Sequence, residues 1–150
     1  MGNWFTSLFG KNKKKRKPSA SGDLIVWSEE YEIGHDLIDQ QHQTLVNMIN
    51  ELNRIVAGQG SREDTEKILS KLIDYTVFHF SGEEEIFKNS AYPCTAAHIE
   101  KHEDLVQKIT EFWEEFRNNR ADVSDELLEF LTDWLTNHIQ GTDRGYKDFI

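Results

Sequence analysis

Five histidines and two carboxylates in this chain stand where they could hold a pair of metal ions: His42, His79, Glu83, His98, His102, His138 and Asp143. They arrive in four fragments, DQQH, HFSGE, HIEKH and HIQGTD, each inside a stretch with helical patterning. His79 and Glu83 are four residues apart, as are His98 and His102. At about 100° per residue, that spacing returns both members of a pair to one helix face. His42 lies among apolar positions, and His138 follows Trp134 and Leu135. Burying five unpaired imidazoles would carry a large desolvation cost, which metal ligation removes. Imidazole with carboxylate suits iron, although the same ligands admit zinc or a mixed pair. Two six-coordinate ions offer about twelve positions. Five imidazoles, two bridging carboxylates and one oxo or hydroxo bridge fill about eleven, leaving one for a small gas such as O2.

Asp143 does not fit a regular helix. Five residues beyond His138 it would lie about 140° away, so the helix is expected to be irregular there, at Gly141. Gly82 is a similar weak point between His79 and Glu83. Two competing motifs fail. HIEKH has its Glu in the wrong place for the HExxH of zinc proteases. The only ExxH, Glu32 with His35, precedes the first helix, whereas carboxylate-bridged di-iron enzymes need two. His35 is about 10 Å from His42 along a helix and reads as structural. The apolar residues Leu45, Phe80, Leu135 and Ile139 lie a helical step or less from ligands. They would wall an O2 pocket, excluding water and slowing proton delivery.

The elements that must position these groups are helices. Apolar residues recur at helical spacing from Asp36 to Ala57 (Leu37, Ile38, Leu45, Met48, Ile49, Leu52, Ile55, Val56), before Gly58 and Gly60. Ser61 with Asp64 resembles a capping box opening a second helix to about Lys88, with Ile68, Leu69, Leu72, Ile73, Val77 and Phe78 inward. Thr95 is placed to cap a third helix, to about Arg117, and Ser124 a fourth, with Asp125 and Glu126 near its positive end. Residues 23–34 read as an extended lead-in whose Trp27 and Tyr31 pack on the helices. No segment alternates like a strand. The fold class is all-α: an up-down-up-down four-helix bundle with an extended N-terminal lead-in.

The chain has 150 residues and a net charge of −10, unevenly spread. Residues 1–22 carry six basic side chains and no acid, leaving 11 basic against 27 acidic residues, a net −16, in the remainder. So acidic a body disfavours nucleic acid as partner. We divide the chain into a basic tail, residues 1–22, expected to be disordered, and a di-iron bundle, residues 23–150. The tail sets Trp4, Phe5, Leu8 and Phe9 before Lys11, Lys13, Lys14, Lys15, Arg16 and Lys17, a pattern suited to an anionic membrane surface through residues 1–17. MGNWFT also fits the acceptor pattern for N-myristoylation at Gly2. No run is long enough to span a bilayer and there is no secretory segment, which predicts a cytoplasmic protein, peripheral at a membrane if the tail binds one. Cys94, alone, forms no internal disulfide.

At WSEEYEIGHDLIDQQHQTL, HFSGEE, HIEKH and WLTNHIQGTD the chain resembles the hemerythrin family in its bacterial single-domain form, over about Leu24 to Ile150. The resemblance implies that His98, His102 and His138 bind one iron and His42 and His79 the other, with Glu83 and Asp143 bridging. It implies reversible O2 binding at an oxo- or hydroxo-bridged di-iron centre, for storage, delivery or sensing, by a protein that is not an enzyme. The alternatives are a di-iron reductase of nitric oxide or peroxide, whose electron donor the sequence does not name, and an iron- or oxygen-sensing interaction module.

Overall fold

The computed structural model describes residues 22–123 and 125–150. Four helices carry the fold: α1 (Asp36–Arg54), α2 (Arg62–Lys88), α3 (Thr95–Arg117) and α4 (Asp125–Asn137). α1 packs against α2 and α4, and α2 against α3. No strand occurs among the described residues, and none of the helices described is long and apolar enough to cross a membrane.

Local chemistry sets the helix ends. Ser61 accepts from the Asp64 backbone N–H while the Asp64 carboxylate accepts from that of Ser61, so the capping box at α2 is complete. α1 relaxes into a π turn over Ile55–Gln59, and Gly58, at φ 104°, takes the left-handed conformation that ends it. α2 continues unbroken through Gly82. Three expectations are corrected. Thr95 is the first residue of α3, not its cap, and its hydroxyl donates backward to the Tyr92 carbonyl at 2.8 Å. Val77 and Phe78 are exposed, because Thr76, His79, Phe80 and Glu83 occupy the inward arc of α2. Leu37 is likewise exposed, beside a buried Ile38. The expected cap at Ser124 lies outside the described residues, as does the tail through residue 21.

The core is in two parts. Leu45, Ile49, Leu52, Leu69, Leu72, Ile109, Phe112, Leu128, Leu131 and Leu135 belong to the larger cluster. Ile33, Ile38, Phe87, Tyr92 and Tyr146 form the smaller. Along α1 the order is Ile38, His42, Leu45; along α2 it is Leu72, His79, Glu83, Phe87. A buried polar layer therefore lies between two apolar plugs.

The lead-in runs the length of the bundle and is tied at both ends. Near the end of α1, the buried Asn50 accepts from the Leu24 and Ile25 N–H groups at 2.9 and 3.1 Å and donates to the Ile25 carbonyl at 2.8 Å. At the other end Trp27 stacks on Tyr31, the Tyr31 hydroxyl lies 3.3 Å from that of Thr136, and Asp39 accepts from the Ile33 and Gly34 N–H groups. Asn50→Ala strips three backbone groups of their partner. It should cost about 1–3 kcal/mol in denaturant unfolding, since buried polar groups left unpaired pay their desolvation. Amides of residues 24 and 25 should then exchange faster with solvent.

Candidate metal centre

Each helix delivers its share of donors by a different local device. α1 supplies His42, α2 the i, i+4 pair His79 and Glu83, and α3 the pair His98 and His102. α4 ends at Asn137 and passes into a π turn over His138–Thr142, followed by a 3-10 segment over Asp143–Phe149. The Asp143 N–H bonds the His138 carbonyl, five residues back. A π turn holds more residues than an α turn, so it brings i and i+5 onto one face and aims Asp143 where His138 points. This is the irregularity that the spacing around Gly141 required.

All seven predicted ligand residues meet, each at most 4% exposed. They form two overlapping groups. Glu83, His98, His102, His138 and Asp143 converge on one side; His42, His79, Glu83 and Asp143 on the other. The two carboxylates belong to both and split their oxygens between them. On the three-histidine side Glu83 Oε1 lies 3.3 Å from His102 Nε2, and Asp143 Oδ1 lies 2.9 Å from His98 Nε2 and 3.0 Å from His138 Nε2. On the two-histidine side Glu83 Oε2 lies 3.2 Å from His79 Nε2, and Asp143 Oδ2 lies 3.0 Å from His42 Nε2.

These atoms fit metal ligation better than they fit one another. His42 Nε2, His79 Nε2, Glu83 Oε1 and Asp143 Oδ2 are buried with no hydrogen bond of good geometry despite their short separations. The Nε2 atoms of His98 and His102 lie 3.2 and 3.0 Å from that of His138, a distance at which two neutral lone pairs repel. Donors bound at about 2.1 Å and at right angles to one ion lie about 3.0 Å apart, which matches these edges.

A surrounding set holds the ligands, and sequence reasoning missed it. His79 Nδ1 donates to Gln41 Oε1 at 2.7 Å. His98 Nδ1 lies 3.3 Å from the Tyr92 hydroxyl, and Tyr146 donates to Glu83 Oε2 at 2.9 Å. Phe80 lies flat against His102, ring centres 3.7 Å apart, and Trp134 stacks on His138 at 4.4 Å. Gln41 and Tyr146 did offer a signal, standing one residue before His42 and three after Asp143. His35 takes the structural role expected: it caps α1, its Nδ1 accepting from the Ile38 N–H.

An apolar chamber of about 20 Å³, room for one water-sized molecule, is lined by Phe80 and Trp134, the rings that stack on His102 and His138. Each helix lines it with a residue three positions from a ligand: Leu45 after His42, Thr76 before His79, Leu105 after His102 and Leu135 before His138. Thr76 spends its hydroxyl on the Leu72 carbonyl at 2.6 Å, so the wall is effectively apolar. Of the expected pocket residues Leu45, Phe80 and Leu135 line the chamber. Ile139 does not; it is fully buried in the larger core cluster.

Comparison with known proteins places the chain among relatives. The family model for the hemerythrin HHE cation binding domain matches residues 33–150. Bacteriohemerythrin of Stenotrophomonas maltophilia is 38% identical over 127 residues, 85% of this chain and 82% of that one. Bacteriohemerythrin of Methylococcus capsulatus is 35% identical over 124 residues, 82% of this chain and 94% of its own. The crystal structure of wild-type hemerythrin superposes with a TM-score of 0.79 at 34% identity, covering 83% of this chain and 96% of that one.

The site's electrostatics set how the metal-free protein responds to pH. Burial opposes charge on His42, yet the Asp143 and Glu83 carboxylates, 3.0 and 3.4 Å from its Nε2, push its pKa up to about 9. Burial drives that of His102 down to about 4, against the pull of Glu83. Burial also works to raise Glu83, but the imidazoles of His102, His42 and His79 beside its oxygens hold it well below the ordinary carboxylate range. Asp143 is likewise lowered against its burial and the charge of Glu83, chiefly by His138. A raised pKa contributes stability that is whole below the unfolded value of 6.5 and lost as pH climbs through about 9, which is the His42 case. A lowered one contributes stability lost as pH falls, first for His102 between 6.5 and about 4 and then for the carboxylates. Chelated, metal-free protein should therefore be most stable near pH 6.5. Its thermal midpoint should fall on both sides, and a midpoint rising steadily from pH 6.5 to 9 would contradict the His42 assignment.

Proposed function

This chain belongs to the hemerythrin family, and from that premise we propose that it binds O2 reversibly at a non-heme di-iron centre, for storage, delivery or sensing. The observation that carries the reading is the inequality of the two donor groups: both include Glu83 and Asp143, but one adds three imidazoles and the other two. In this reading His98, His102 and His138 would hold one iron and His42 and His79 the other, with Glu83 and Asp143 contributing to both. Bound iron supplies two metal centres, each able to give up and regain one electron, which is the chemistry that reversible O2 uptake needs.

The chain's own contribution is to keep that uptake reversible. The chamber wall of Leu45, Phe80, Leu105 and Leu135 leaves space for a small apolar molecule, and its lining holds no acidic side chain. Tyr146, the hydroxyl nearest the carboxylates, does not change this. Burial and the negative charge of Glu83 and Asp143 raise its pKa far above the usual phenol value, so it keeps its proton and donates only a hydrogen bond to Glu83. A site without a ready acid favours binding over turnover. In an anaerobically reduced sample containing about two irons per chain, admitting O2 should produce a visible charge-transfer band that fades on degassing. Prompt oxidation with no such band would favour a reductase of nitric oxide or peroxide instead.

We further propose that the basic tail, residues 1–22, is a separate unit that carries the bundle to an anionic membrane surface through residues 1–17. Supporting this, Asn53 donates to the Gly22 carbonyl at 3.0 Å and Arg54 pairs with Asp23 at 2.9 Å, fixing the chain's exit at the end of α1 farthest from His42. At 1.5 Å per residue that exit is about 16 Å from His42 along the helix, so a docked tail leaves the iron site unobstructed. Deleting residues 1–21 should abolish cosedimentation with vesicles containing phosphatidylserine and leave O2 affinity unchanged. Retained binding would show that another surface does the docking.

A further inference from the structure

We propose that Gln41 is the positioning residue of the two-histidine half of the centre, and that its neutral side-chain oxygen sets how strongly that half holds and oxidises its metal. The proposal rests on the di-iron reading above.

The geometry is specific. Gln41 is 8% exposed, on α1 beside His42, and its Oε1 lies 2.7 Å from His79 Nδ1 on α2. That is the shortest hydrogen bond to any of the five histidines. The opposite Nε2 of His79 faces the centre, 3.2 Å from Glu83 Oε2. An imidazole that ligates through Nε2 must carry its proton on Nδ1, and an acceptor at Nδ1 selects that tautomer and fixes the ring. Gln41 does so from the helix that supplies the other imidazole of this half. His42 cannot be held in the same way, because its Nδ1 is buried with no hydrogen-bond partner. His79 is therefore the one imidazole of the pair with a fixed tautomer, on the side with fewer donors. The three-histidine half has a weaker counterpart, the Tyr92 hydroxyl at 3.3 Å from His98 Nδ1.

The chemistry of the acceptor matters as much as its place. A carboxylate there would draw the Nδ1 proton strongly, give the ring more anionic character and stabilise the oxidised metal. A carboxamide oxygen orients the ring without adding charge. Gln41 thus suits a centre that must take up O2 and return to the reduced form.

Two variants test this on the full chain loaded with iron(II) under anaerobic conditions. Gln41→Met keeps the volume and removes the acceptor, and should make one of the two irons about 10–100-fold easier to strip with a ferrous chelator while the other stays as in wild type. Gln41→Glu keeps an acceptor, and should retain both irons but show a lower reduction potential and faster oxidation in air. Both irons held as tightly in Gln41→Met as in wild type, or an unshifted potential in Gln41→Glu, would overturn the proposal. If Gln41→Glu loses iron as Gln41→Met does, Gln41 is only packing, which also overturns it. Wild-type protein that fails to hold two irons would overturn the di-iron reading itself, a result separable from both.

Discussion

Five imidazoles and two carboxylates lie within a few ångströms of one another in a region closed to water, and most of this structure follows from the need to make that tolerable. An isolated buried carboxylate is prohibitively costly, and two that share a site repel. Here the polar layer is enclosed between two apolar clusters, and the donors face each other at about hydrogen-bond distance while several of their atoms stay unsatisfied. The arrangement is a compromise for the chain alone and suits metal ligation. Any metal bound by these buried donors would add its binding free energy to the stability of the fold.

The helices matter chiefly as rulers. An i, i+4 pair puts two donors on one face with no special backbone, which is why α2 and α3 are regular through the site. α1 and α4 each give a single imidazole and so have freedom elsewhere. The lead-in uses it: its 3-10 turn at Glu29–Tyr31 packs on the π turn after α4, and Arg144 donates to the Glu30 carbonyl at 2.6 Å. The least regular part of the site is thus braced from outside by the least regular part of the chain.

How much of this was legible in the sequence depends on the range of the interaction concerned. That these seven residues would meet was readable because histidine is scarce and its spacing is governed by helix geometry, and even the break before Asp143 followed from counting residues. The order of the helices and the capping box at Ser61 were local patterns as well. What escaped was set across helices. Gln41 and Tyr92 look like ordinary polar and aromatic residues until α2 and α3 are laid beside them. Val77 and Phe78 are apolar and so suggest core by type, but once His79 and Glu83 define the inward arc, both must point away. Thr95 misled because a hydroxyl at a helix start can reach forward to cap or backward to a loop carbonyl, and the turn at Tyr92 decides which.

The π turn at His138–Thr142 has a consequence for how such a chain can vary over time. Side chains around it can be exchanged with local effects, but the turn has already absorbed one extra residue. Removing one residue between His138 and Asp143 would set them four apart, the spacing of His79 and Glu83, which a plain α-helix already holds on one face. Adding one would set them six apart, about 120° away on a helix, beyond what the π turn restores. The interval is in effect a reading frame for the metal site, open to substitution and closed to insertion, whereas the connection between α3 and α4, which carries no donor, is free to change length.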